Sequence, residues 1–155
     1  MKKIIIFLAL TFLFVVKVSS QTIFKEVNRI MRQAEAIKND TKKNIEERKI
    51  ATFKADAIFY LITKASKEEY FTELELGQQT NAMIEFVNRY IKQLTHTNKK
   101  SEKEIILAKY RTATLQNPLF NDPEKNITQA YVDNPKYLTQ FSIDTDWVKA
   151  YKSIK

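Results

Sequence analysis

The sequence predicts an all-α protein, a single-domain helical bundle of about four main helices plus short C-terminal helices. Three observations carry that prediction. The 155 residues include one glycine, Gly77, and three prolines, far fewer chain-reversing residues than a turn-rich sheet needs. Apolar residues recur at steps of three and four, the period of a helix with one buried face. Asn44–Glu47, Ser66–Glu69 and Ser101–Glu104 each place a capping side chain three residues ahead of a glutamate, the pattern of a reciprocal helix start.

The chain opens with MKKIIIFLALTFLFVVKVSSQ. A basic start at Lys2 and Lys3, an apolar run from Ile4 to Val16 and the small residues Ser19 and Ser20 have the layout of a secretory signal peptide. The run has 13 residues, short of the roughly 20 that a membrane-spanning helix needs. Residues 1–20 are therefore expected to be a cleaved leader and 21–155 the helical domain, secreted or periplasmic, with no membrane span after signal removal. Loss of Lys2, Lys3 and Lys17 lowers the formal charge from +8 to +5, a modest excess that favours solubility and says little about fold. The chain has no cysteine, so no disulfide can staple an exported domain and its core must hold by packing alone.

The first stripe is Ile23, Val27, Ile30, Ala34 and Ile37, ending near Lys38-Asn39-Asp40. Asn44 and Glu47 open a second helix whose inward positions are Ile50, Phe53, Ala57, Leu61 and Ala65. The Ser66 box starts a third element, in which Leu76, Met83, Val87, Tyr90 and Leu94 share a face widened by Phe86 and Ile91, and Gly77 separates a short helix over 68–76 from a long one. The Ser101 box opens a fourth helix with Ile106, Tyr110 and Ala113 inward, stopping before Pro118. Asp122 and Pro123 suit a cap and first helical position for a short helix with Ile127, Ala130 and Tyr131 inward, broken at Asp133-Asn134-Pro135. In the closing FSIDTDWVKAYKSIK, Asp144 is expected as the N-cap, Ile143 and Val148 as a hydrophobic staple, and Trp147, Tyr151 and Ile154 as one apolar face docked across the bundle.

The segments NPLFNDPEK, AYVDNP and FSIDTDWVKAY together resemble the tail of an uncharacterised family of small exported helical proteins from Bacteroidota, which share a signal peptide, a mature chain of this length and a closing Asp-Thr-Asp-Trp. The resemblance implies export and helical content. It implies no catalytic residue.

Chemistry-bearing residues are sparse. His96 is the sole histidine, with no cysteine or second histidine to complete a zinc site, and reads as a helix-end residue. No serine lies in a strand-to-helix elbow, which disfavours a nucleophilic triad. Glu68, Glu69, Glu73, Glu75 and Glu85 offer acid pairs for glycoside hydrolysis, but carboxylates near a helix start are explained by the dipole. Asp144 and Asp146 supply too few hard oxygen ligands for a metal. Lys42-Lys43, Lys99-Lys100-Lys103 and Lys109-Arg111 alternate with acids, the texture of a solvated face, and no nucleic-acid-binding module is present. The aromatics Phe53, Tyr60, Phe86, Tyr90 and Tyr110 fall on inward stripes and are expected to fill the core rather than stack on a sugar.

No residue is thus assigned a catalytic, cofactor-binding or metal-ligating role, no cofactor is expected, and nucleic acid is not an expected partner. The leading expectation is an exported non-catalytic helical module that binds a protein or envelope component. A binder of a small apolar or glycan ligand in an interhelical pocket is the alternative, and a carboxylate-pair hydrolase stands behind both.

Overall fold

A computed structural model describes residues 22–66, 72–115, 131 and 141–155. They form an all-α helical bundle with no strand among the described residues. Helix α1 covers 22–39, α2 Ile45–Ser66, α3 Glu73–His96, α4 Lys100–Leu115 and α5 Trp147–Ile154. The expected Ser66 box, the short helix over 68–76 and the helix following Pro123 lie on or extend into residues outside those described.

Local chemistry sets the helix starts. Asp40 turns the chain between α1 and α2, its carboxylate accepting the Lys42 amide at 2.9 Å. Asn44 then caps α2, its side-chain oxygen accepting the Glu47 amide at 2.8 Å, while the Glu47 carboxylate pairs with Lys43 at 3.6 Å. Helix α3 starts on a full capping box that the sequence reading passed over: Thr72 Oγ1 accepts the Glu75 amide at 3.3 Å and the Glu75 carboxylate accepts the Thr72 amide at 2.7 Å. Ser66 instead ends α2, its hydroxyl donating back to the Thr63 carbonyl at 2.9 Å. The Ser101 box is also displaced. Helix α4 already includes Lys100; the Lys99 carbonyl accepts the Lys103 amide at 3.1 Å, and Glu102 takes the hydroxyl of Thr97 and the ammonium of Lys99. Lys99 and the upstream Thr97 hold Glu102, and Lys100 pairs with Glu104, the glutamate of the expected box.

Gly77 does not divide two helices. It sits in the second turn of α3, where a Cβ would lie 2.8 Å from Ile23 Cγ2 of α1. Its function is close approach of α1 and α3 rather than a break.

Helix α3 is the hub, packing against α2, α4 and α5, and α5 lies across α3 and α4. The core is largely aromatic. Phe53 meets the rings of Tyr131, Phe141 and Trp147 edge-on at centroid separations of 5.9, 5.9 and 5.8 Å. Phe86 meets Tyr110, Phe141 and Trp147 at 4.8, 5.2 and 5.6 Å. Edge-to-face contacts of this kind add to the area each ring buries. Phe141, absent from every predicted stripe, is fully buried at the centre and also contacts Tyr90 and Tyr110. It enters from an irregular segment, where no helical period could have revealed it.

The terminal helix docks as expected, with Trp147 fully buried, but its cap is Asp146 rather than Asp144. Asp146 Oδ1 accepts the Lys149 amide at 3.1 Å and the Asp146 carbonyl accepts the Ala150 amide at 2.9 Å. Helix α5 begins at Trp147, so only Asp146 stands three residues before an unpaired first-turn amide. The staple positions accordingly shift from Ile143 and Val148 to Thr145 and Ala150, both buried. Asp144 instead accepts the hydroxyl of Ser142. The buried Thr145 hydroxyl donates to the Ser142 carbonyl at 2.6 Å. Gln79, buried on α3, holds both sides of the helix start: Nε2 donates to Asp146 Oδ1 at 3.0 Å and Oε1 accepts the Trp147 amide at 2.7 Å.

Candidate functional site

Each stripe that forms the core also sets what is left beside it. On α1, Ile30, Gln33, Ala34 and Ile37 follow one another at steps of three, one and three, and on α2 Glu47, Ile50, Ala51 and Lys54 repeat that spacing. With Asn81 and Ile84 of α3 and Lys43 of the connection, they line a groove of about 480 Å3. Its floor is aliphatic: Ala34 and Ala51 are buried, Ile30, Ile50 and Ile84 half-buried, and Ile37 remains 39% exposed. The α1 stripe was expected to be core along its whole length. Val27 and Ala34 are buried and Ile23 and Ile30 are partly buried against the core, while Ile37 is left exposed on the groove wall.

Polar groups stand at the rim. Lys43 and Glu47 neutralise one another at 3.6 Å. Lys54 behaves differently: its Nζ donates to the amide oxygen of Asn88 at 2.7 Å. Burial pulls its pKa below the usual lysine range, partly opposed by the negative charge of Glu85. The groove therefore offers an aliphatic trough, a self-compensated ion pair at one end and a partly desolvated ammonium at the other. Such a trough can hold an apolar chain and bind an anion at Lys54; it contains no nucleophile–base pair. A larger hollow, about 1210 Å3, runs along α1 from Thr22 and Phe24 to Ala36. Among the described residues its lining comes from α1.

The residues singled out in the sequence are dispersed. His96 ends α3, exposed, with Nδ1 2.6 Å from the Lys92 carbonyl of its own helix. Glu73, Glu75 and Glu85 are exposed, Glu75 serving as the cap partner of Thr72, while Glu68 and Glu69 lie outside the described residues. Asp144 and Asp146 hold Ser142, Gln79 and the start of α5, and among the described residues no group of three histidine, cysteine or acidic side chains is placed to hold a metal ion. Lys99 and Lys100 pair with Glu102 and Glu104, and Lys109 donates to the Ile154 carbonyl at the end of α5. Phe53, Phe86, Tyr90 and Tyr110 are core, and Tyr60 is half-buried with the Lys64 ammonium 5.2 Å from its ring centroid. Of the residues singled out in the sequence, Lys43 lines the groove. Among the described residues no helix is long and apolar enough to cross a membrane.

Sequence reasoning did not find the groove, although its signal was present. Ile30, Ala34, Ile37 and Ile50 were recognised as apolar positions, but Lys54, one turn after Ile50, was not singled out. No family model, curated protein or solved structure matches this chain.

Proposed function

We propose that this protein is an exported, non-catalytic binding module that meets a protein or envelope component in the groove between α1, α2 and α3. The observation that carries the reading is the groove itself: an aliphatic floor contributed by three helices, open to solvent, with few polar groups and those at the rim. Its volume of about 480 Å3 falls within the range of small-ligand sites, which favours the second reading, a small apolar or glycan ligand held between helices, over a broad flat protein contact. The leader pattern of residues 1–20 supports the exported setting.

The test is site-directed photocrosslinking in native envelope extract. A benzophenone side chain at Ile37, in the groove, should yield an adduct resolved by mass spectrometry. The same group at Glu104, exposed on α4, should not. Equal labelling from both positions would refute the groove as the binding surface.

A further inference from the structure

Accepting the groove as a binding site, we propose that its ligand is a single-chain amphiphile with an anionic head, the aliphatic chain lying between α1, α2 and α3 and the head meeting the Lys54 ammonium. The floor selects the chain. Ile30, Ile37, Ile50 and Ile84 present branched aliphatic surface, and among the described residues no aromatic ring lines the trough on which a sugar face or planar ring would stack. The helical rise fixes the length. From Glu47 to Lys54 is seven residues along one face of α2, a span of about 10 Å that matches an extended chain of about eight to ten carbons.

Charge selects the head. Among the described residues, the ionisable groups lining the groove are Lys43, Glu47 and Lys54, with Glu85 acting on Lys54. The first two form an ion pair, so that end is neutral. Lys54 has a single hydrogen-bond acceptor, the neutral side chain of Asn88, and three N–H donors to satisfy. Glu85 attracts it without forming an ion pair among the described residues. A partly desolvated ammonium with spare donors at the end of an aliphatic trough is complementary to a carboxylate or phosphate head, and charge-assisted hydrogen bonds are the stronger kind. The ionic head and the buried chain are common to free fatty acids and single-chain phosphate lipids, so the probes separate the two.

Titration calorimetry of the full chain with decanoate, decyl phosphate, decanol and decyltrimethylammonium provides the test. Both anions should bind at least about tenfold more tightly than decanol, with the cation weakest. Preference between the anions assigns the head to the carboxylate or phosphate source. Shortening decanoate by two methylenes should weaken binding about fifteenfold. Lys54→Met, which keeps the aliphatic stem, should reduce decanoate to the affinity of decanol, and Lys54→Arg should restore the preference. Circular dichroism confirms that each variant is folded. Equal affinity for anion, neutral and cation, all abolished by Ala34→Phe, would overturn the anionic head while leaving the groove as a binding site. Absence of binding by any ten-carbon probe would overturn the amphiphile itself, and the benzophenone adducts at Ile37 would then decide separately whether the groove binds anything.

Discussion

Replacing Gln79 by leucine tests how the terminal segment is held. The leucine keeps the approximate volume and removes both hydrogen bonds that α3 makes to the start of α5, at 3.0 Å to the Asp146 carboxylate and 2.7 Å from the Trp147 amide. A hydrogen bond to a charged acceptor contributes about 1.5 to 3 kcal/mol and a neutral one about 1 kcal/mol. The Trp147 amide is buried and would be left without an acceptor, which adds to the loss. Gln79→Leu should therefore destabilise the protein by about 3 to 4 kcal/mol. Urea titration followed by the emission of Trp147, the sole tryptophan, reads the change at the helix concerned. Asp146→Asn is the control: its amide oxygen still accepts from Gln79 and from the Lys149 backbone, so it should cost less than about 1 kcal/mol. A Gln79→Leu midpoint within about 0.5 kcal/mol of wild type would refute the reasoning and mean that ring packing alone holds α5.

Three further outcomes are expected. Trp147→Ala should cost about 3 to 5 kcal/mol by urea titration monitored by circular dichroism, since the indole is fully buried against Phe53 and Phe86; an unchanged midpoint would place it at the surface. Burial and the neighbouring Tyr110 push the Tyr90 phenol up to about 12. Because the folded pKa is raised above the ordinary value of 10.0, this contribution to stability is present below about pH 10 and is lost as pH rises through about 12, a slope absent from Tyr90→Phe in alkaline denaturation. Gly77→Ala should lose about 1 kcal/mol net, the steric cost against Ile23 exceeding the helix-propensity gain; combined with Ile23→Ala it should lose less than the sum of the single changes, as thermal melts would show.

The helices and their buried faces were largely legible, because a period of three and four needs only neighbours in sequence. Phe53, Ala57, Leu61, Leu76, Met83, Val87, Tyr90 and Tyr110 are buried where the stripes placed them. The starts were less legible. Several residues near each boundary can cap, and the geometry of the neighbouring turn selects one: Thr72 for α3, Asp146 for α5. Phe141 and Gln79 could not be found by pattern, one lying in irregular backbone and the other being a polar residue whose partners stand 67 and 68 positions away. The groove was half legible. Periodicity marks which face of α1 is apolar, but whether a neighbour covers Ile37 depends on how far three axes diverge, and no single helix encodes that.

The dependence of the core on Trp147 sets an order of events. Most contacts in a helical bundle are local and form quickly, yet Phe53 and Phe86 complete their surroundings only with rings at positions 141 and 147. A nascent chain that has emerged through α4 still has those two rings without their final partners, and they are enclosed only once residues 141–147 have emerged as well.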